Sequence, residues 1–294
     1  MKLFFILLFL LFPLGQLIKI PVFGRVSVLP QELVILVGFL FWLVKEGKKV
    51  SATPLLKPIT VFVFAAILSL TLNPLHLEPR ELVEPGLYLV RFLLYFAVFG
   101  MAFSGLEQRS ITKKFLIRGL LFSVTITAVF GLMQYFLYPQ IANMAYLGWD
   151  IHYGRLVGTF FDPGFSGLIF ILGFFLTLSY CQHDKLVKAI SYCLLLLFLI
   201  CLLLTFSRSS YLAFVFGLGI YSFYTKNIKL FVIIASIFLL GIFLIPKPAG
   251  EGGNLIRTAS SLARFNNWGQ SLKIWQDHPL LGIGVKSYRF AREK

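Results

Sequence analysis

Long apolar runs broken by short polar segments dominate this chain. A helix needs about 17–25 mostly apolar residues to cross a bilayer. Nine stretches approach that length, at roughly 3–18, 28–44, 58–74, 84–103, 115–137, 164–181, 187–206, 209–225 and 229–245, the first and eighth being short. The pattern predicts an all-α, polytopic membrane helix bundle over residues 1–245, with about nine transmembrane helices. Residues 246–294 read differently. A Pro/Gly stretch (Pro246, Pro248, Gly250, Gly252, Gly253) leads into Ser261 to Asp277, where Leu262, Phe265, Trp268, Leu272 and Trp275 recur at spacings of three and four. That periodicity predicts an amphipathic helix, which Pro279 stops. The segment is expected to be the start of a large extracytoplasmic loop, incomplete within the sequence, with the apolar stripe packing its helix onto the bundle.

Composition agrees with a membrane protein. The 294 residues are 58% hydrophobic and 13% charged, against about 25% charged in ordinary soluble domains. A net charge of +15 would point to nucleic acid in a soluble protein. Here most cations fall in short loops between apolar runs, so no nucleic-acid partner is expected and the charge reports topology. With the N terminus inside, the inner segments hold Lys2; Lys45, Lys48, Lys49 and Lys57; Arg109, Lys113, Lys114 and Arg118; Lys185 and Lys188; Lys226 and Lys229. The outer segments hold only Lys19, Arg25, Arg80, Arg155 and Arg208. This asymmetry predicts a cytoplasmic N terminus. Met1 to Ile18 has the charge and apolar run of a signal peptide but no small-x-small cleavage site, and is expected to be an uncleaved span. Cys181, Cys193 and Cys201 form no disulfide framework.

Three arginines in polar breaks on the outer side are the candidate chemistry. Arg155 precedes a Gly158-Thr159-Phe160-Phe161-Asp162-Pro163 entry into the sixth run. Pro163 suits the first turn of a helix and Asp162 its N-cap. The free N–H groups of such a helix start can hold an anion; a cation anchoring the helix end fits the same residues. Arg208 lies in a tight turn between two apolar runs, flanked by Ser207, Ser209 and Ser210. Its planar fork matches phosphate, and the serines can cap a helix or donate to phosphate oxygens; a simple interfacial anchor fits the same position. Arg264 lies on the tail helix, where a solvated residue is the plainer reading. Arg91, near the middle of the fourth run, needs an internal partner or a water-filled cavity, and Glu84 lies on about the same helical face. No metal-ligand spacing, P-loop or nucleophile elbow is present, so neither metal nor cofactor is expected.

The run Arg155-Leu156-Val157-Gly158-Thr159-Phe160-Phe161-Asp162-Pro163 resembles the R-x-x-G-T-F-x-(N/D)-P-N signature of the O-antigen ligase and polymerase superfamily. Thr205-Phe206-Ser207-Arg208-Ser209-Ser210 is similar to its T-x-S-R-(S/G) element. Arg264-Phe265-Asn266-Asn267-Trp268, with Asp277-His278-Pro279-Leu280-Leu281-Gly282-Ile283-Gly284, resembles the start of its large loop. Gly164 departs from the pattern, standing where the family commonly has Asn.

The resemblance implies a multi-pass protein of the bacterial inner membrane, acting on its extracytoplasmic face in polysaccharide or lipopolysaccharide biosynthesis. It implies a metal-independent, inverting glycosyltransferase, of ligase or polymerase type. The donor would be an undecaprenyl-diphosphate-linked glycan and the acceptor a lipid, glycan or protein. Arg155 and Arg208 would stabilise the diphosphate leaving group, with Arg264, Ser207, Ser209 and Asp162 as further substrate contacts. Family members carry their proposed base, a His, further along the loop. None of His76, His152, His183 or His278 matches it, so no base is assigned and the sequence as it stands is expected to be inactive alone. The rival expectation is a transporter or lipid-linked glycan flippase. Transport sites tend to lie near the midplane among internal repeats, and Arg91 is the feature that favours this reading.

Overall fold

A computed structural model of the chain describes residues 1–24, 26–50, 53–142, 150–180, 185–246 and 259–293. Arg25, Tyr146, Trp149, Cys181, His183 and the Pro/Gly stretch from Pro248 to Gly253 lie outside the described residues.

The architecture is helical: α1 (Lys2–Leu11), α2 (Pro30–Val50), α3 (Leu56–Thr71), α4 (Pro79–Glu107), α5 (Lys113–Leu137), α6 (Pro163–Tyr180), α7 (Lys185–Leu204), α8 (Arg208–Tyr224), α9 (Ile228–Leu244), α10 (Ala259–Asp277) and α11 (Tyr288–Glu293). Among the described residues three helices, α4, α5 and α6, are long and apolar enough to cross a membrane. Shorter apolar helices lie at Lys2–Leu14, Leu56–Thr71, Lys188–Leu204 and Ile228–Leu244.

The first apolar run does not form one continuous span. At about 1.5 Å per residue, α1 with its 10 residues covers roughly half of the ~30 Å hydrocarbon core. A 3-10 turn at Phe12–Leu14 and Gly15 at φ +53° follow it. Proline removes a helical donor, and glycine tolerates the left-handed backbone that turns the chain. Then comes an element absent from the sequence reading, an antiparallel hairpin of β1 (Ile20–Phe23) and β2 (Val26–Val28).

The chain divides into two compact units, one of Met1–Leu8, Ile18–Lys113 and Arg257–Lys294, the other of Phe9–Leu17 and Lys114–Ile256. In the first, the polar centre is Glu32 near the start of α2. Its carboxylate meets Arg91 of α4 at 2.7 Å, accepts from Tyr95 Oη at 3.0 Å and accepts from the Leu29 N–H at 3.0 Å. Arg91 also donates to the Ser27 carbonyl. This corrects the expected pairing within α4: Glu84 instead meets Arg289 at 3.4 Å. Glu32 is more deeply buried than Glu84, and the charged pair satisfies itself where water is scarcest.

In the second unit, α5 to α9 pack around Phe170, Phe174, Phe198, Phe214 and Phe238. Phe174 meets Phe214 edge-on at 5.0 Å, and Phe214 lies 4.8 Å from Phe238. Phe216 and Phe243 are 70% and 82% exposed, as apolar side chains on a lipid-facing helix surface are.

Candidate anion-binding site at two helix starts

The second unit brings the Arg155 and Arg208 segments together. After α7 the chain turns in three residues. Thr205 and Phe206 donate back to the carbonyls of Leu202 and Leu203 at 3.1 and 3.3 Å. Phe206 takes φ +48°, a left-handed conformation costly for a bulky residue. Ser207 then caps α8, its hydroxyl accepting from the Ser210 N–H at 3.4 Å. The serine hydroxyls form a local chain, Ser207 to Ser209 at 3.2 Å and Ser210 to Ser207 at 2.9 Å.

Arg155 is 5% exposed and lies along this turn. Its Nε donates to the Thr205 carbonyl at 2.9 Å and its Nη2 to the Phe206 carbonyl at 3.0 Å. The neighbouring Leu156 N–H donates to the Leu204 carbonyl at 2.8 Å. Together they satisfy three successive carbonyls at the end of α7, where backbone acceptors lack helical partners and the dipole is negative. Two of the donors that the sequence reading assigned to a ligand are thus engaged with backbone.

From Arg155 the chain crosses Gly158, at φ +60°, and a 3-10 turn at Gly158–Phe160. Phe161, at φ +56°, repeats the left-handed geometry of Phe206 one residue before a cap. Asp162 is that cap: its Oδ1 accepts from the Phe165 N–H at 2.7 Å, as the Asp162-Pro163 pair predicts.

The starts of α6 and α8 lie side by side. Ser210 Oγ donates to the Gly164 carbonyl at 3.1 Å. A Cβ at Gly164 would lie 3.1 Å from Asp162 Oδ1, 3.6 Å from Ser207 Oγ and 3.9 Å from Ser209 Oγ. The glycine that departs from the family pattern therefore sits among three of the expected contact residues. Arg208, half-buried, is the first residue of α8. Two positive helix ends, two serine hydroxyls and a guanidinium-bearing residue occupy one place, with the Asp162 carboxylate engaged as a cap. Such a place can receive an oxyanion.

Sequence reasoning missed Gln134 of α5. Its Oε1 accepts from Val157 and Gly158 N–H at 2.9 and 3.2 Å, and its Nε2 donates to the Arg155 carbonyl at 3.4 Å. Ser166 adds a 2.6 Å bond to the Val157 carbonyl. A lone amide in an apolar helix was the available signal. The Thr159 hydroxyl is buried without a hydrogen-bond partner among the described residues.

Arg264 lies on α10, in the first unit, and is exposed. The apolar stripe there is also exposed, from 53% at Leu272 to 64% at Phe265 and Trp268. The expected packing of this stripe onto the bundle is not seen: its neighbours leave every one of the five side chains open. Among the described residues no group of three or more His, Cys, Asp or Glu is placed to hold a metal ion. A cavity of about 660 Å³ lies at the far end of α8, lined by Gly219, Ser222, Phe223 and Phe231 among others. None of the candidate residues lines it.

The long apolar helices mark an integral membrane helix bundle in which the starts of α6 and α8 lie together. Residues 193–294, about a third of the chain, match the family model described as O-antigen ligase. The matched segment contains Arg208 and Arg264, while Arg155 and Asp162 precede it. No curated protein and no solved structure matched the chain.

Proposed function

We propose that this protein is a glycosyltransferase that moves a glycan from a polyprenyl-diphosphate donor, of the undecaprenyl class, to an acceptor hydroxyl on the extracytoplasmic face of the bacterial inner membrane. The observation that carries the reading is the convergence of the α6 and α8 starts around Ser207 and Ser209, with Arg208 the first residue of α8, within a chain whose last third matches the O-antigen ligase model. In this reading the chain crosses the membrane nine times with its N terminus inside, and residues 246–294 lie on the extracytoplasmic side.

The chemistry follows from where charge develops. As the acceptor oxygen attacks the anomeric carbon, the bond to the diphosphate oxygen breaks and its electron pair stays with the diphosphate. Attack from the opposite face inverts the anomeric centre. Arg208 and the N–H groups at the two helix starts stabilise the departing charge, using preorganised dipoles. Arg155 acts one step back: it holds the carbonyls of Thr205 and Phe206 and so fixes the turn that presents Ser207 and Arg208. Arg264 contacts the donor or braces the loop. No residue of this chain is assigned as the base.

Removing a comparable preorganised donor costs about 10²–10³ in rate. Arg208→Ala, in membranes carrying a transfer-competent form of the protein, should reduce transfer from a lipid-diphosphate glycan by at least that range while insertion is unchanged. Wild-type transfer by this variant would remove Arg208 from the mechanism. Arg208→Lys should recover little, because an ammonium lacks the bidentate fork. The feature that favoured the alternative, a transporter or lipid-linked glycan flippase, was Arg91, and Glu32 supplies its internal partner.

A further inference from the structure

The segment after α10 forms a second cationic site, within the first unit, that the glycosyl-transfer reading does not use. It is fixed to the end of α3 and to Asn73 just beyond it by specific bonds. Ser69 Oγ donates to the Leu281 carbonyl, and Asn73 Nδ2 donates to the Ile283 carbonyl and to Ser287 Oγ. Gly284, at φ +98°, leaves only 2.6 Å between a hypothetical Cβ and Asn73 Nδ2, so the turn needs glycine. Ser287 is fully buried and Ile283 is 8% exposed. These contacts set the residues that follow. Lys286 Nζ sits 4.5 Å from the centre of the Tyr88 ring, an attraction of cation and ring face. Arg289 Nη2 meets Glu84 at 3.4 Å. Lys286, Tyr288, Arg289 and Arg292 then line one groove of about 490 Å³.

We propose that this groove binds a phosphate-bearing anionic group, such as a phospholipid head group or a free diphosphate. Three cations line it, and Glu84, the one carboxylate partner among the described residues, is engaged by Arg289. Two guanidinium forks and an ammonium suit tetrahedral phosphate oxygens better than a single carboxylate. The volume falls in the range of small-ligand sites, about 300–1,000 Å³, so a substituent on the phosphate fits beside the Tyr288 ring. Lys286 takes φ +62°, an uncommon conformation for lysine. The backbone bonds of Ile283 and Ser287 hold it there. The groove shares no residue with the Arg155–Arg208 cradle, so it stands or falls apart from the glycosyltransferase reading.

Chemical footprinting of the full chain tests it. Lys286 and the exposed Lys273 are acetylated by a soluble active ester and quantified by mass spectrometry. The three conditions are neutral detergent with inorganic pyrophosphate, nanodiscs containing phosphatidylglycerol, and nanodiscs of phosphatidylcholine alone. Occupancy should slow acetylation of Lys286 by at least about threefold, the protection given by ligand at twice its dissociation constant, and leave Lys273 unchanged. Protection by pyrophosphate identifies a free phosphate ligand, and protection by phosphatidylglycerol alone a lipid head group. The exposed substitution Arg292→Gln should remove the protection. Unprotected Lys286 in all three conditions, or protection that survives Arg292→Gln, overturns the proposal.

Discussion

A buried guanidinium needs partners for its donors, and Arg155 finds two of them in the carbonyls of Thr205 and Phe206. Arg208 heads α8 a turn away and is half-buried. Two arginines that look equivalent in the sequence therefore have separable roles. Arg155→Lys keeps the charge and loses the fork, and charge-assisted bonds of this kind contribute about 1.5–3 kcal/mol. Its thermal unfolding midpoint in detergent should fall by several degrees, with transfer lost alongside. Arg208→Lys should lose transfer at an unchanged midpoint. Equal midpoints for the two variants would show that Arg155 does not hold the turn. Ser207 contributes at the same scale: Ser207→Ala removes the N-cap of α8 and should cost about 1 kcal/mol, read as a smaller shift in the same measurement.

Between elements, the cradle depends on α6 and α8 lying close enough for their starts to act together. Gly167 sets that approach: a Cβ there would come within 2.7 Å of Ser210 Cβ, which cannot move without displacing the helix. Gly167→Ala should separate the two starts, destabilise by about 1–3 kcal/mol and lower transfer more than its stability loss explains. A variant with native stability and native transfer would show that the helix spacing is not needed. Gly15 closes the other side, where a Cβ would lie 2.6 Å from the Thr159 carbonyl oxygen at φ +53°. The sequence reveals the elements better than these contacts. Apolar length locates α3 and α5 to α9 to within about three residues, while α2 and α4 run on into charged turns beyond the apolar stretch, and Asp162-Pro163 and Ser207 announce helix starts by cap chemistry. Close helix approach has no such local signal, because a glycine in an apolar run serves packing, turning or neither. The β1–β2 hairpin was lost for a related reason: four- and three-residue strands are too short for alternation to stand out beside an apolar run.

Across the whole molecule, the charges in apolar segments had to find partners that sequence distance concealed. Helical spacing offered Glu84 to Arg91, seven residues away, but the partner is Glu32, 59 residues earlier and on another helix. Periodicity can rank residues on one helix face; it is blind to which helix lies opposite. The pairing also bears on function. If Arg91 binds a moving substrate, removing it should stop movement whatever becomes of Glu32. If the pair is structural, the two residues should be dispensable together and not singly. Removing one partner of a buried pair costs about 3–5 kcal/mol, and replacing both can be neutral. Arg91 is 26% exposed, so solvent screening lowers the expected single-variant cost to about 1–3 kcal/mol. Arg91→Met should therefore lower the unfolding midpoint, and Glu32→Gln added to it should restore most of the loss. The double variant, reconstituted with the lipid-diphosphate donor and an acceptor, should transfer glycan at close to the native rate. Native stability combined with lost transfer or lost uptake would instead give the Glu32–Arg91 pair a direct part in the reaction or in the movement of its substrate.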